Sequence, residues 1–461
     1  MTADEPTPTP GTPFGIRFTG PLLLGSTLNP INSSMITTGL VGIGVDFDAS
    51  PGTTTTLISV LYLSSAAMQP TMGRLAILFG PRRVFLAGLV ILAIAGVAGA
   101  AAPAFGFLVL SRALIGIGTA AAYPTAMELV RRRAESAGTG VPSQLLGSLS
   151  IAAQVTVVLG LPIGGVLTGV LGWRALFLIN VPLAVISLVL TLTGVPQDEP
   201  RGPRSGSLLV AVDALGIALF ASSIIALLVF LSDLTAPAWW LMSVSILLGG
   251  ALVIREQRAA MPLINTRVLS RNRGLLRTYL RQTLVALGNY TALFGVSQWM
   301  EGAASYTPSQ VGLLLVPLSI VSIVVARLVS VRGWIRGPLI LTGASMLATG
   351  AVMLTITHTS PTLLLVGMSM LFGIANGLSG FANQALLYIQ SPADEVAVTA
   401  GLSRTFMYLG AIFSASLINL TFGHAITDAG FHSVAIVILA IGTAVVVMTV
   451  TDRGIPPQAN S

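Results

Sequence analysis

Three of the charged side chains inside long apolar stretches of the sequence are candidates for function. Arg112 lies in the stretch 105–129, Glu128 lies near the end of the same stretch, and Arg404 lies in the stretch 397–423. A charge at the centre of a membrane helix costs roughly 2.5–3.5 kcal/mol on insertion scales, so each of these residues needs a reason to be there. The arginines could face an internal cavity and meet the charge of a bound molecule. Glu128 is an acid that could carry a proton.

Each of these charges also has a structural explanation. Arg112 could tie helices together through backbone carbonyls, and Arg404 could extend its head group to the membrane surface. Glu128 is followed by three consecutive arginines at 131–133, which could neutralise it. Both explanations stay open for each residue at the level of the sequence.

Polar residues recur at helical spacing in several apolar stretches. Asn29, Ser33 and Thr37 are four residues apart and share one helical face. Such a stripe must face protein or a wet cavity rather than lipid. Similar patches occur in 275–300 and 361–389, although hydrogen bonds between packed helices would also explain them. The candidate cavity residues are Asn29, Asn32, Ser33, Thr37, Arg112, Tyr123, Gln154, Asn289, Tyr290, Asn376, Asn383, Gln384, Tyr388 and Arg404.

The composition indicates a protein that lipid surrounds. Charged residues are 8% of the 461 residues and hydrophobic residues are 54%, with a mean hydropathy of +0.88. A soluble domain carries about 25% charged residues, so this chain cannot cover a water-facing surface. The absence of cysteine excludes disulfides and thiol chemistry. The three histidines, at positions 358, 424 and 432, lack metal-ligand spacing, so we expect no metal, no cofactor and no enzyme active site.

Runs of about 20 apolar residues predict fourteen membrane spans in groups of six, two and six. The predicted spans are 18–45, 53–73, 84–102, 105–129, 143–170, 174–195, 208–232, 238–255, 275–300, 308–330, 337–357, 361–389, 397–423 and 432–451. The fold class is therefore an all-α integral membrane protein with two six-helix bundles and an inserted two-helix hairpin. The domains are a disordered cytoplasmic tail at 1–17, a bundle at 18–195, a linker with the hairpin and a cytoplasmic interfacial segment at 196–274, a second bundle at 275–452 and a cytoplasmic tail at 453–461.

Arginines predict the orientation of the chain in the membrane. With the N-terminus inside, nearly all loop arginines fall on the inner side, and Arg174 is the exception. Positive charge accumulates in cytoplasmic loops, so both termini should be cytoplasmic. Because the net charge of +7 is distributed between apolar runs, it marks topology and no nucleic-acid partner is expected.

A short internal repeat relates the two six-helix groups. Residues 73–83 (GRLAILFGPRR) and 326–336 (ARLVSVRGWIR) share Arg-Leu, then Gly five residues after the Leu, then Arg three residues later. Each segment follows the second span of its group. This pattern is expected of two related bundles with a binding site at their interface.

These segments carry a resemblance to a known family. Residues 73–83, with Gly73, Arg74, Gly80, Arg82 and Arg83, resemble the gating-loop signature of the major facilitator superfamily. Residues 108–120 resemble its fourth-helix motif, which contains Arg112. Residues 160–167, with Gly160, Pro162, Gly164 and Gly165, followed by 172–182 (GWRALFLINVP), look like the fifth-helix antiporter motif and a segment of the fourteen-helix drug/proton antiporter family.

Three positions depart from the pattern of that family. Asn29 stands where the first helix usually carries an acid, Ile77 replaces the loop acid, and Pro162 is displaced within its motif. Asn29 cannot titrate, so proton coupling through the first helix is not expected. Arg112 and Glu128 are the remaining candidates for proton coupling.

The resemblance implies a function and a location. It implies a secondary transporter that exports small organic or amphipathic compounds by alternating access, in the manner of multidrug efflux with proton antiport. A lipid flippase or a uniporter on the same fold is the alternative. The expected partners are a small-molecule substrate, membrane lipids and protons, and the expected form is a monomer in the bacterial inner membrane.

Overall fold

The computed structural model describes residues 13–49, 51–199, 212–232, 234–259, 262–306, 308–423 and 425–458. Residues 1–12 of the predicted tail, residues 200–211 of the predicted linker and His424 are among those outside these ranges. Within them the chain is helical, and no strand is present apart from one isolated bridge between Trp334 and Gln458. Helices suit a lipid environment because all their backbone hydrogen bonds lie within one segment.

The helices follow the apolar runs. The first group is α1 (Ile16–Met35), a 3₁₀ turn (Ile36–Gly39), α2 (Leu40–Asp46), α3 (Pro51–Phe79), α4 (Pro81–Ala100), α5 (Phe105–Ala120), α6 (Ala122–Ser136), α7 (Ser143–Leu171), α8 (Ala175–Leu178) and α9 (Asn180–Gly194). The middle group is α10 (Ala214–Ser232), α11 (Trp239–Glu256) and α12 (Thr266–Arg271). The last group is α13 (Arg273–Gly302), α14 (Pro308–Arg332), α15 (Arg336–Met353), α16 (Thr362–Gln390), α17 (Val396–Phe422) and α18 (Asp428–Thr451).

Local sequence explains where several of these helices start and stop. Gly80 has a φ of +100°, which favours glycine, and Pro81 begins α4 at the position where a missing N–H costs nothing. The fourth predicted span divides at Ala121 into α5 and α6. Pro124 lies in the first turn of α6, where it cannot donate a hydrogen bond to the helix before it.

Nine helical stretches of the described residues are long and apolar enough to cross a membrane, judged by length and composition. The other five predicted spans also coincide with helices, namely α1, α3, α7, α13 and α15. The structure therefore shows a membrane-type helical bundle, and the count of fourteen spans stays a prediction.

A matching hydrogen bond closes the far side of each six-helix group. In the first group the indole N–H of Trp173 donates to Asp46 Oδ2 at 2.8 Å, and this bond joins the first span to the sixth. In the last group the indole N–H of Trp299 donates to Asp428 Oδ1 at 2.9 Å and joins the corresponding two spans. The two groups are thus built on one plan, as the repeated loop sequence predicts. We call them the N half and the C half.

The two halves are joined at the end of the bundle that carries both chain termini, which we call the termini end. One apolar cluster there combines Phe18 and Met127 of the N half with Phe381 and Leu386 of the C half. Two further large clusters, around Trp173 and around Trp299, belong to one half each. The bundle is therefore closed between the halves at the termini end.

Glycines allow this closure. A Cβ atom on Gly73 of α3 would lie 2.4 Å from the carbonyl oxygen of Ala397, and one on Gly401 of α17 would lie 2.4 Å from the carbonyl oxygen of Gln69. Backbone atoms cannot move aside as a flexible side chain can. Contact between α3 and α17 thus depends on both residues lacking a side chain.

Replacing Gly401 with valine should open the termini end. The valine side chain would overlap the backbone of Gln69, and overpacking of this kind costs about 1–3 kcal/mol, which corresponds to roughly fivefold to a hundredfold in the open population. The chain has no cysteine, so Ser379→Cys in the cavity would be a unique site for labelling. We expect faster reaction of this cysteine with an impermeant maleimide added at the side of the termini.

The matched control is Gly367→Val on α16, where a new Cβ would have no atom within 4 Å. This variant should label at the rate of the parent. Equal labelling of the two valine variants would contradict the assignment of Gly401 to the closure.

Candidate functional site

A polar cavity of about 220 Å³ lies between the two halves. It is bounded mainly by α1, α3, α6 and α7 of the N half and by α13, α16 and α17 of the C half, with one residue each from α5 and α14. Nine of the predicted cavity residues line it, and they are Asn29, Ser33, Tyr123, Asn289, Tyr290, Asn376, Asn383, Gln384 and Arg404. The structure therefore brings polar stripes that lie far apart in the sequence to one place.

Four predicted residues lie elsewhere. Arg112 and Asn32 are buried in the N half, Thr37 is exposed, and Tyr388 packs beside the apolar cluster at the termini end. The side chain of Gln154, on α7, lies outside the described part of the chain.

Arg112 connects helices within the N half. Its side chain is 2% exposed, Nε donates to the carbonyl oxygen of Leu57 at 3.0 Å, and Nη2 donates to the carbonyl oxygen of Asn32 at 3.2 Å. The amide of Asn32 in turn donates to Asn180 Oδ1 at 2.6 Å. Arg112 thus bonds backbone carbonyls and does not line the cavity, as expected of a residue that ties helices together.

Arg404 faces the cavity instead of the membrane surface. Its guanidinium carbon lies 4.0 Å from the ring centre of Tyr123, which belongs to the other half. Gln384 Nε2 donates to the hydroxyl of Tyr123 at 3.0 Å. A cation over an aromatic face and an amide on the hydroxyl together hold Tyr123 against the C half.

The side-chain amide of Asn29 has hydrogen-bond partners for both its nitrogen and its oxygen. Its Nδ2 donates to Ser65 Oγ at 2.8 Å and to Thr119 Oγ1 at 2.9 Å, and its Oδ1 accepts from the hydroxyl of Tyr408 at 2.8 Å. Both hydroxyls that accept from Asn29 donate their own hydrogens to carbonyl oxygens on α5. A side chain with both a donor and an acceptor is therefore required here, and the bond to Tyr408 ties the two halves together.

Glu128 is held by two arginines of its own helix. It is 1% exposed, accepts from Arg131 at 2.8 and 3.0 Å, and accepts from Arg132 Nε at 2.7 Å. Its helix, α6, packs against α17 of the C half. Glu128 is thus an ion-paired acid buried beside the closed termini end.

An acid from a distant part of the chain binds the predicted gating loop. Asp198 accepts from the backbone N–H groups of Arg82 at 3.2 Å and of Arg83 at 2.9 Å. A carboxylate at the first turn of α4 is favoured by the helix dipole. Asp198 also fills the space beside Gly80, where a Cβ would lie 2.3 Å from its carboxyl carbon. Sequence reading missed Asp198 because 115 residues separate it from Arg83.

The other two residues of the loop face the C half. Gly73 meets the backbone of Ala397, as described above. Burial raises the pKa of the Glu395 carboxyl, and Arg74 lies near enough to oppose part of that rise. The loop therefore contributes directly to the contact between the halves.

Two glycines of the antiporter motif bring α7 against α1. A Cβ on Gly160 would lie 1.8 Å from Ser34 Oγ, and one on Gly164 would lie 2.8 Å from the carbonyl oxygen of Met35. Gly165 has no atom within 4 Å of the corresponding position, and the side chain of Pro162 is outside the described part. Spacing of four residues puts Gly160 and Gly164 on one face, which explains the close approach.

Several cavity residues were not singled out from the sequence. They come mainly from α3 and α17 and include Tyr62, Gln69, Ser403 and Tyr408. Four of the seven tyrosines of the chain line the cavity, and Tyr62 and Tyr408 have ring centres 5.4 Å apart. Within the described ranges no group of three or more metal-ligating side chains is present.

A polar cavity between two helical halves of the same plan is the architecture of a secondary transporter. The sequence pattern of the Major Facilitator Superfamily matches residues 22–415. The chain belongs to the Major Facilitator Superfamily. The predicted resemblance is thereby confirmed, and the protein is a transporter rather than an enzyme.

Known proteins similar to this chain agree with that assignment. The uncharacterized MFS-type transporter YwoD of Bacillus subtilis (strain 168) is 35% identical over 431 residues, which are 92% of this chain and 94% of that protein. The multidrug resistance protein Stp of Mycobacterium tuberculosis (strain CDC 1551 / Oshkosh) is 30% identical over 76% of this chain and 65% of its own length. The crystal structure of the human organic anion transporter MFSD10 (TETRAN) covers 93% of this chain and 99% of that one with a TM-score of 0.66, and at 16% identity it shows a shared fold.

Removing the hydroxyl of Tyr408 should loosen the contact between the halves. Tyr408→Phe keeps the ring beside Tyr62 and deletes the bond to Asn29, which is worth about 1 kcal/mol. The closed arrangement should therefore lose roughly fivefold in population. Distances between spin labels at Ser136→Cys and Asp394→Cys, both exposed at the termini end, would report the change.

Tyr290→Phe provides the control, because Tyr290 lines the same cavity and packs against Phe294 of its own half. Its distance distribution should match the parent. An identical distribution in Tyr408→Phe would show that the bond to Asn29 does not hold the halves together.

Proposed function

We propose that this transporter exports small organic or amphipathic compounds by alternating access, in the manner of multidrug efflux. The observation that carries the proposal is the cavity at the interface of the halves, which mixes amides, hydroxyls and tyrosines with apolar residues. A wall of this kind suits compounds that are partly apolar and partly polar. The similarity to a protein named for multidrug resistance supports the direction of transport.

We place fourteen spans in the bacterial inner membrane, with both termini in the cytoplasm and a monomer as the working unit. The distribution of arginines supports this orientation, and similarity to bacterial proteins supports the location. In this orientation the closed termini end faces the cytoplasm. Substrate, membrane lipids and protons are the partners of the cycle.

Export is coupled to proton entry through Glu128 in this proposal. Glu128 is buried at the closed end, where α6 meets the C half, so opening of that end would change its access to water. In the closed arrangement its carboxylate is ion-paired with Arg131 and Arg132. Arg112, the other candidate for coupling, has carbonyl partners, which support a structural role.

A uniporter is the second candidate function, and Asn29 favours it. The family position for an acid in the first span holds an amide, which cannot titrate and which is held by three hydrogen bonds. A chain without a proton carrier would move substrate along its own gradient. A lipid flippase remains the other alternative on this fold.

Proteoliposomes with a trapped pH-sensitive dye separate these functions. Substrate added to one side of the parent protein should change the pH inside, and Glu128→Gln should abolish that change while substrate exchange continues. Glu135→Gln is the matched control, because Glu135 also contacts Arg131 on the same helix but is 56% exposed. Transport by the parent without any pH change would refute proton antiport and favour the uniporter.

A further inference from the structure

The cavity carries a net positive charge. Arg404 is the one charged side chain among the described residues that line it, and no carboxylate of the described chain lies within ion-pairing distance of its guanidinium. Cavities that take organic cations supply an acid as a counter-charge. This cavity instead supplies a cation, Arg404.

The donors of Arg404 are largely unused. A guanidinium has five N–H donors, and the polar contact that it makes within the described chain is from Nη1 to Met407 Sδ at 3.6 Å. A thioether is a weak acceptor. The remaining N–H groups are free to bond a molecule that enters the cavity.

Tyr123 adds a second donor at the same place. Its hydroxyl oxygen accepts a hydrogen bond from Gln384, so its own hydrogen is free to donate. Its ring lies under the guanidinium of Arg404, so the two donors are neighbours. Tyr123 comes from the N half and Arg404 from the C half.

From this juxtaposition we infer that the substrate is an organic anion whose carboxylate or similar acidic group binds Arg404 and the hydroxyl of Tyr123. Guanidinium groups match carboxylates in geometry and charge. Val285, Leu293 and Phe372 give the cavity an apolar wall for the body of the molecule. Tyrosine faces alone would also attract cations, but Arg404 already occupies the face of Tyr123 and repels a second positive charge.

Binding of an anion here would act on the switch between states. Opening of the termini end separates the halves, so Arg404 would lose the ring of Tyr123. An acidic group on the substrate would then be the partner that remains for the guanidinium. The inference rests on the proposed export function for its physiological meaning, although anion binding can be measured without transport.

Three aromatic probes of one size test the inference in lipid nanodiscs. They are 2-naphthoate, the neutral 2-naphthamide and the cationic 2-naphthylmethylammonium, with affinity measured by equilibrium dialysis at neutral pH. We expect naphthoate to bind the parent at least tenfold more tightly than either of the others, as a charge-assisted hydrogen bond predicts.

Arg404→Gln should remove this preference and leave the affinity for naphthamide unchanged, whereas Arg404→Lys should keep part of it. Arg271→Gln is the matched control, because it removes the same charge from an exposed site on α12. Tyr123→Phe gives a second measure that retains the ring under Arg404, and it should weaken naphthoate binding alone. If Arg404→Gln folds poorly, the effect of Tyr123→Phe on naphthoate binding tests the inference in its place.

Equal affinities of the parent for the three probes, no naphthoate binding at millimolar concentration, or a preference that survives Arg404→Gln would each overturn the inference. Flux of the same probes from proteoliposomes is measured separately. Transport of naphthamide or the ammonium compound in preference to naphthoate would refute an anionic substrate but would be consistent with export. Tight naphthoate binding with no flux of any probe would support the anion-binding site and refute export.

Discussion

A polar group inside a lipid bilayer has no water to bond, so it must be matched within the protein or face a wet cavity. Two sets of polar residues illustrate this constraint. Arg112 satisfies it with two backbone carbonyls, and Asp452, which is buried at the end of α18, satisfies it with Arg277 at 3.0 Å. The second set faces the space between the halves. The cavity is thus a place where polar groups without a protein partner are permitted, and this explains why the functional candidates converge there.

The contact between the halves consists of small contributions. Glycines at two crossing points let α3 and α17 touch, and single hydrogen bonds cross the interface from Tyr408 to Asn29 and from Gln384 to Tyr123. Each such bond contributes about 1 kcal/mol. A closure built from an apolar cluster, close backbone contacts and single hydrogen bonds suits the alternating access proposed above.

Two departures from the family pattern acquire a physical explanation in the structure. Asn29 lies where both a donor and an acceptor are needed, and a carboxylate could not make the two donated bonds to Ser65 and Thr119. The loop acid replaced by Ile77 has a counterpart in Asp198, which binds the start of α4 from the far end of α9. Charge lost at one position of the sequence is therefore restored at another position that is close only in three dimensions.

The sequence by itself determined the class of fold. A chain with 8% charged residues and repeated apolar runs can only be solvated by lipid, and the stripe of Asn29 and Ser33 had to face the interior. The repeated loop showed that the halves share a plan. Only the tertiary structure shows which groups surround the two arginines. Arg112 meets carbonyls, whereas Arg404 meets an aromatic ring and open space, because the partners of a buried charge come from helices that the sequence does not place beside one another. Tyr408 and Gln69 were missed for the same reason, since their side chains reach the cavity through a contact of α3 with α17 that no local pattern specifies.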